Sequence, residues 1–217
     1  MALGLRPRRA LLNDVNPHLV NFYGWLKRGL TTDLVMRNAE RPFYRHRARF
    51  NRLLSTGREK TAEAAALFYY LNRTGYNGLC RFNRRGEFNV PFGRYRTIGY
   101  TRDFSDYARV FEDWEFTSRD FETLSLDRTD FVYADPPYDV EFTSYSKDGF
   151  SWDDQVRSAE WLARHRGPVI LVNQATERIV DLYTALGYGL SYLPAPRMIS
   201  CTGDRTPVKE VLATRNL

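Results

Sequence analysis

Residues 131–142, FVYADPPYDVEF, join an apolar run to an acid, two prolines and a tyrosine. The first four residues are enough for a buried strand. The prolines cannot extend it, because proline has no N–H and a fixed φ. The carboxylate of Asp135 and the carbonyl of Pro136 would present hydrogen-bond acceptors, and Tyr138 would add a flat aromatic face. Such a loop suits a planar ring that carries an NH2 group.

The chemistry that this loop favours is attack by an aromatic amine on a positively charged methyl donor. The lone pair of an exocyclic amine on a nucleobase is delocalised into the ring. Two acceptors on the amine hydrogens favour a more tetrahedral nitrogen and free the lone pair. In a duplex the base must first be flipped out of the stack, and Tyr138 would then stack on it.

The candidate catalytic residues are therefore Asp135, Pro136, Pro137 and Tyr138. A plain turn after a strand is the alternative, since Asp-Pro and Pro-Pro are common in loops. The place of the loop at the end of a strand, beside a basic segment, favours the functional interpretation.

Charge is unevenly distributed along the 217 residues, whose formal net charge is +6. Residues 27–102 hold 17 Lys and Arg against 5 Asp and Glu, whereas the remainder holds 15 basic and 21 acidic residues. A basic segment between acidic flanks indicates a polyanionic partner, although a solvated Arg-rich helical face would explain the charge equally well. Its arginines are interleaved with Asn, Tyr and Phe, which favours nucleic acid.

Other functional classes find little support. The longest apolar runs are too short to span a membrane, and the N-terminus lacks the apolar stretch of a signal peptide. Cys80 and Cys201 lie far apart, which is typical of reduced thiols in a cytoplasmic protein. His18, His46 and His165 have no ligand spacing, so we expect no metal site.

The pattern of elements predicts a mostly parallel, doubly wound α/β sheet. Residues 10–12 form a strand that ends in Asn13 and Asp14, and Pro17 opens a helix. Residues 114–124 offer a strand and a loop, and further strands follow near residues 131–134 and 168–174, with a closing pair near 187–194 and 208–216 and helices between them. Residues 151–154, SWDD, resemble a capping box.

A different kind of segment interrupts this pattern. Residues 31–72 are predicted to be helical, and residues 82–90, FNRRGEFNV, to form a hairpin with its turn near Arg85 and Gly86. We therefore predict a discontinuous catalytic domain, residues 1–30 and 103–217. Residues 31–102 would be an inserted target-recognition domain that binds DNA.

Several motifs in shared order resemble the Dam-type site-specific DNA adenine methyltransferases, which use S-adenosylmethionine. DPPY is similar to the catalytic motif of that family, and LRPRRALLNDVNPHLVNFY to its second cofactor strand and following helix. SRDFETL is similar to its adenine-holding loop, and RTGYNGLCRFNRRGEFNVPFGRY to its DNA-reading hairpin. FTSYSKDGFSWDDQ and PRMISCTGDRTPVKEVLATR resemble its later segments. The resemblance implies a Rossmann-like methyltransferase sheet and double-stranded DNA as partner.

The resemblance also implies roles for single residues. Asp14 matches the acid that binds the cofactor ribose, Asp120 a polar partner of the cofactor adenine, and Phe121 a stacking face. Asp135, with the Pro136 carbonyl, would hold the target amine and lie close to the cofactor.

In the hairpin, the implied contacts are to DNA. Leu79, Arg81, Pro91 and Tyr95 match positions that contact bases of a short palindrome, GATC in the best-known members. Asn77 matches a position near the space left by the flipped base, and Asn83 belongs to the same hairpin. Arg73, Arg94 and Arg96 would contact phosphates. Packing within the hairpin explains Leu79 and Pro91 equally well.

One departure from the family pattern stands out. The family's initial K-W-x-G-G-K segment and the strand that ends in F-x-G-G-G are absent here. The resemblance therefore implies a missing first strand, weak or no binding of S-adenosylmethionine, and marginal stability. A truncated gene model, a late start codon, a second chain that supplies the segment, and a decayed remnant that only binds DNA are the alternatives.

Overall fold

A computed structural model of the protein describes residues 1–139, 149–195 and 208–217. They form helices and strands in two compact units, residues 1–120 and 121–217, so the predicted α/β class is confirmed. Residues 140–148 and 196–207, which include Cys201 and parts of the two later family-like segments, lie outside this description.

The first unit, residues 1–120, contains one parallel strand pair and five α-helices. Strands β1 and β2 run side by side, with Ala10 opposite Trp114 and Asn13 opposite Thr117. The elements are α1 Ala2–Leu5, β1 Ala10–Asn13, α2 Pro17–Lys27, α3 Glu40–Ser55, α4 Ala62–Thr74, α5 Ser105–Val110 and β2 Trp114–Thr117.

The predicted strand–loop–helix at the start of this unit is confirmed. The side chain of Asn16 caps α2 by accepting hydrogen bonds from the backbone N–H groups of His18 and Leu19. Pro17 occupies the first helical turn, where a missing N–H costs nothing. Gly29, at φ +70°, allows the chain to turn away after the helix.

The helical prediction for residues 31–72 was too broad. Residues 32–39 are not helical, and Thr31 instead forms an antiparallel bridge with Asp103. Helix α3 ends before Gly57, which has a φ of +70°, and α4 begins only after its cap Thr61. The two helices that do form, α3 and α4, share a core in which Phe43, Phe50, Leu67, Tyr70 and Leu71 are buried.

The second unit, residues 121–217, is built on a four-stranded sheet with the order β3-β4-β6-β5. Strand β3 is parallel to β4, whereas β6 is antiparallel to both β4 and β5. Its elements are β3 Val132–Ala134, α6 Trp152–Ala163, β4 Val169–Gln174, α7 Glu177–Ala185, β5 Gly189–Ala195 and β6 Val208–Arg215.

Helices α6 and α7 contribute Leu162, Ile179 and Tyr183 to a core with the sheet residues Leu171 and Val211. Of the four strand pairs in the described residues, two are parallel and two are antiparallel. The predicted closing pair, β5 and β6, is confirmed. The doubly wound arrangement as a whole stays a prediction.

None of the helices in the described part of the chain is both long and apolar enough to cross a membrane.

Candidate active site and recognition segment

The acid–Pro–Pro–Tyr loop, residues 135–138, directly follows β3 at the carboxyl end of the parallel pair β3–β4. Ligands of α/β sheets bind at this edge. Asp135 is exposed, Tyr138 is half-buried, and the next residue, Asp139, is only 6% exposed. The loop therefore leads from the surface into the unit within five residues.

The electrostatics of the loop depend on Glu210 of β6. Glu210 lies opposite Gln174, the last residue of β4, and so belongs to the same edge of the sheet as the loop. The pKa of Asp135 is raised, first by partial desolvation of its carboxyl group and then by the nearby charge of Glu210. Desolvation and the carboxylates of Asp135 and Glu210 likewise raise the pKa of Tyr133 and of Tyr138. Both phenols therefore stay protonated at neutral pH.

Sequence reasoning missed Glu210. The only local signal is an acid within an alternating strand, VKEVLATR, whose residues Val211 and Ala213 are buried. Its position near Asp135 follows from the strand order, since β6 pairs with β4 and β4 with β3.

The chain beyond the loop is attached to α7. The carboxylate of Asp139 accepts hydrogen bonds from Nε of Arg178 at 2.6 Å and from the hydroxyl of Thr176 at 3.0 Å. The Arg178 guanidinium also lies 4.5 Å from the ring centroid of Trp152. A buried acid is tolerated here because a cation and a hydroxyl compensate it.

Phe121, the predicted stacking residue, opens a short 3₁₀ helix, Phe121–Thr123. The guanidinium of Arg157 lies 4.5 Å from its ring centroid, and the Trp161 ring 5.5 Å away. Arg157 is itself paired with Glu122 at 2.8 Å and Asp154 at 2.9 Å. These contacts hold the aromatic ring in a fixed orientation.

The two acids of the first unit that were predicted to bind the cofactor each follow one of two neighbouring strands. Asp14 comes directly after β1, and Asp120 comes three residues after β2. The Asn13 amide ties the two loops together, because it donates to the carbonyl of Arg119 at 2.9 Å and accepts from its N–H at 3.2 Å. One oxygen of Asp14 accepts from the N–H of Asn16 at 2.7 Å.

This edge suits a polyhydroxylated ligand. Each carboxylate oxygen has two lone pairs, so Asp14 can accept further hydrogen bonds from ribose hydroxyl groups while it keeps its bond to Asn16. These acceptors thus fit the hydroxyl groups of the nucleoside part of a cofactor. Among the described residues there is no group of three or more His, Cys, Asp or Glu that could hold a metal ion.

We call residues 73–96 the recognition segment. Isolated antiparallel bridges join Gly75 to Phe92 and Phe82 to Phe88, so a hairpin is present without regular strands. The predicted turn near Arg85 and Gly86 is confirmed, with Gly86 at φ +75°.

Asn83 organises this turn with both ends of its side chain. Its Oδ1 accepts from the N–H groups of Arg85 at 2.9 Å and Glu87 at 3.0 Å. Its Nδ2 donates to the Glu87 carboxylate at 2.8 Å. The side chain of Asn83 therefore stabilises the turn. Its predicted contact with DNA stays a prediction.

The other predicted DNA contacts fall into two groups. Arg73, Arg81, Pro91, Arg94 and Arg96 are exposed, whereas Asn77, Leu79 and Tyr95 are half-buried.

Some of these side chains form hydrogen bonds or packing contacts within the protein itself. Arg81 donates from Nε to the Asn89 side chain at 2.9 Å, and the Tyr95 hydroxyl donates to the Gly75 carbonyl at 3.0 Å. Leu79 packs against the core of α3 and α4.

The geometry so far describes an α/β protein with an acid–Pro–Pro–Tyr loop at a sheet edge and a basic recognition segment. Residues 1–194 match the model of the D12 class N6 adenine-specific DNA methyltransferases. The chain belongs to this family, and it is accordingly a transferase. Methyltransferases of this family generally use S-adenosylmethionine.

Three relatives show how far the similarity extends. The chain is 34% identical to the retron Ec67 DNA adenine methylase of Escherichia coli, over 94% of this chain and 74% of the relative. It is 35% identical to the DNA adenine methylase of Vibrio cholerae, over 94% of this chain and 79% of the relative. It is 30% identical to the type II methyltransferase M.MjaIII of Methanocaldococcus jannaschii, over 91% of this chain and 76% of the relative.

Proposed function

We propose that the protein transfers a methyl group from S-adenosylmethionine to the exocyclic amine of a flipped adenine in a short, GATC-like duplex site. The observation that carries this proposal is the acid–Pro–Pro–Tyr loop at the carboxyl end of β3. Membership of the adenine-specific family supports the target base. We also propose a cytoplasmic location for the protein, encoded by a bacterium or a phage, which DNA as the substrate supports.

Asp135 and Pro136 act on the target amine. The carbonyl of Pro137 accepts a hydrogen bond from Gln155 at 2.7 Å, whereas within the described residues the Pro136 carbonyl accepts none. Pro136 thus offers a free acceptor beside the Asp135 carboxylate. The two acceptors orient the amine hydrogens, and the negative charge of Asp135 stabilises the positive charge that grows on the nitrogen. The bond from the amine nitrogen to the methyl carbon forms as the methyl–sulfur bond breaks, which leaves a neutral thioether, and the amine proton passes to solvent during or after the transfer.

Tyr138 supplies the stacking face for the flipped adenine. Its high pKa, caused first by burial and then by the charges of Asp135 and Glu210, keeps the phenol neutral. A neutral aromatic ring can stack on a base at a gain of about 1–3 kcal/mol. That gain offsets part of the cost of taking the adenine out of the duplex.

S-Adenosylmethionine, when bound, supplies a methyl group on a positively charged sulfur. The proposal assigns its binding to Asp14, Asp120, Phe121 and Asp135. Asp14 would accept hydrogen bonds from the ribose hydroxyl groups of the cofactor. Asp120 would hydrogen-bond the cofactor adenine, and Phe121 would stack on that ring. The contact between Arg157 and the Phe121 ring fixes the orientation of that ring.

The recognition segment reads the DNA in this proposal. Residues 31–102 form an insert in a Rossmann-like catalytic domain of residues 1–30 and 103–217. Arg81, Leu79, Pro91 and Tyr95 contact bases, and Asn77 and Asn83 lie beside them. Arg73, Arg94 and Arg96 contact phosphates.

The test is methyl transfer to defined duplexes. The full chain is incubated with S-adenosylmethionine labelled in its methyl group, at saturating concentration, and with duplexes that contain either GATC or its scrambled sequence. The expected product is N6-methyladenine in the GATC duplex, with less in the scrambled one. Specific binding of the GATC duplex in a gel shift, without methylation under these conditions, would contradict the proposal and favour a protein that only binds DNA.

A further inference from the structure

Two buried side-chain amides connect the backbone on both sides of Tyr138 to the core of the second unit. Gln155 of α6 donates from Nε2 to the Pro137 carbonyl at 2.7 Å. Its Oε1 accepts from Nδ2 of Asn173, on β4, at 2.9 Å. The Oδ1 of Asn173 accepts from the backbone N–H of Asp139, also at 2.9 Å. We call these three hydrogen bonds the amide chain.

The two ends of the amide chain determine its direction. The carbonyl of Pro137 can only accept, so Gln155 must present its NH2 group there. The oxygen of Gln155 then faces Asn173, which must donate. The oxygen of Asn173 is left for the N–H of Asp139, which can only donate. Each amide thus has one orientation that satisfies every bond.

Burial makes the amide chain energetically important. Gln155 is 2% exposed and Asn173 is fully buried. A buried amide that loses its partner is penalised more than an exposed one, since water cannot replace the bond. The phenol of Tyr183 lies 3.4 Å from Nδ2 of Asn173, and burial raises the pKa of Tyr183 to about 12. The phenol therefore stays neutral across the physiological pH range, in which amide groups do not titrate.

Neighbouring contacts fix the elements that carry the two amides. Helix α6 starts with a capping box, in which the Ser151 hydroxyl accepts from the Asp154 N–H and the Asp154 carboxylate accepts from the Ser151 N–H. Gln155 is the next residue after Asp154, so the capping box also fixes the backbone that carries its side chain. Asn173 lies in β4, which is hydrogen-bonded to β6 along its whole length.

We propose that Gln155 and Asn173 are positioning residues, which hold Pro137 and Asp139 so that Asp135, Pro136 and Tyr138 face the target adenine correctly. This inference rests on the proposed methyl transfer. The two residues do not contact the substrate. They act through the loop, in which a misplacement of about 1 Å can cost about a hundredfold in rate.

The first part of the test measures the loop itself and needs no activity. Backbone hydrogen exchange at Asp139 is followed by NMR in the full chain and in the variants Gln155→Leu and Asn173→Leu. Tyr188→Phe is the matched control, because it removes a buried 2.7 Å hydrogen bond to the Ala159 carbonyl in the same core. Exchange at Asp139 is expected to accelerate about tenfold or more in the two amide variants, and to stay unchanged in the control.

The second part measures single-turnover methyl transfer at saturating cofactor. Gln155→Leu should lower the rate about tenfold or more, and leave the KM for DNA within about twofold, because binding residues are untouched. Tyr188→Phe should keep the rate even though its melting temperature falls. A parallel fall of rate and melting temperature in all variants, the control included, would overturn the positioning role.

A conservative variant, Gln155→Glu, gives a sharper readout. When protonated, the introduced carboxyl group can still donate to Pro137 and accept from Asn173. Burial raises its pKa, and ionisation removes the donor. Relative to wild type at the same pH, exchange at Asp139 should be nearly normal at low pH and accelerated at high pH. A ratio that does not change with pH would contradict the proposed direction of the amide chain.

The two parts separate the two claims. If wild type methylates no DNA, the proposed function fails, and the positioning of catalytic groups fails with it. Unchanged exchange at Asp139 in both amide variants overturns the inference even if wild type is active. Accelerated exchange together with a lower rate in the amide variants supports it.

Discussion

Arg178 of α7 pairs with the carboxylate of Asp139, with Nε 2.6 Å from Oδ2, although the two residues are 39 positions apart. Asp139 is 6% exposed at its side chain and Arg178 is 56% exposed. The pair joins the end of the acid–Pro–Pro–Tyr loop to a helix, and it compensates the charge of a buried acid.

Arg178→Ala should destabilise the protein by about 1–3 kcal/mol, less than for a fully buried pair because Arg178 is half-exposed. Urea unfolding at pH 7 measures this loss. The double variant with Asp139→Asn should lose less than the sum of the single losses, since no uncompensated charge then remains. Arg164→Ala is the control, because Arg164 is exposed and lies 3.8 Å from Glu122. Equal losses for Arg178→Ala and Arg164→Ala would contradict the assignment.

Tyr138 should act through its ring rather than its hydroxyl group. Tyr138→Ala removes the stacking face and should lower the single-turnover rate about 10- to 100-fold, which corresponds to about 1–3 kcal/mol. Tyr138→Phe keeps the ring and should lose much less at pH 8. Tyr192→Ala, an exposed tyrosine of β5 in the same unit, serves as control. Similar losses for Tyr138→Phe and Tyr138→Ala would refute stacking as its role.

The pH dependence of transfer should follow the ionisation of Asp135. In the proposed mechanism the ionised Asp135 carboxylate accepts the amine hydrogens, so the rate should fall as the pH drops through the raised pKa of Asp135. Partial burial and the charge of Glu210 raise this pKa, and the hydroxyl group of Tyr138 lowers it. The acidic limb of the rate profile should therefore move to lower pH in Glu210→Gln and to higher pH in Tyr138→Phe.

The control for this profile is Glu160→Gln, an exposed acid of α6. Single-turnover rates between about pH 4 and 9 would define the limbs, a range that brackets the ordinary carboxyl value. Shifts of the same sign in Glu210→Gln and Tyr138→Phe would show that Asp135 is not the group observed.

Arg81 and Arg96 should affect DNA binding in different ways. Arg81→Ala should relax sequence preference, because a base contact is lost, at a cost of about 1–3 kcal/mol on the cognate duplex only. Arg96→Ala should weaken binding to cognate and scrambled duplexes alike and reduce the salt slope by about one. Gel shifts at several salt concentrations measure both effects. Equal losses on both duplexes for both variants would contradict this division.

Local chemistry was the most predictable part of the protein. Pro17, and Ser151 with Asp154, identify the starts of two helices, because these signals involve residues only a few positions apart. The acid–Pro–Pro–Tyr loop was placed correctly at a strand end for the same reason. The turn at Gly86 follows from the freedom of glycine at positive φ.

Long-range pairing was not predictable in this way. Residues 32–39 have helix-compatible composition, yet they are not helical, and the chain just before them is held by the bridge between Thr31 and Asp103 and by the bond from the Thr32 N–H to the Arg102 carbonyl. Glu210 approaches Asp135 only because β6 pairs with β4. Asn173 did carry a signal, as a polar residue directly after the apolar run VILV of β4. Its partner Gln155 could not be predicted, because it lies on α6, 18 residues away in the sequence.

The catalytic role proposed for Asp135 is tested by comparing Asp135→Ala with Asp153→Ala in single-turnover methylation of a GATC duplex at saturating cofactor. Asp153 is an exposed acid in the first turn of α6 and is not part of the proposed site. Asp135→Ala should lose about a hundredfold or more in rate while it still binds the duplex, and Asp153→Ala should keep the wild-type rate. Comparable N6-methyladenine formation by Asp135→Ala and wild type would contradict the assignment of the catalytic loop.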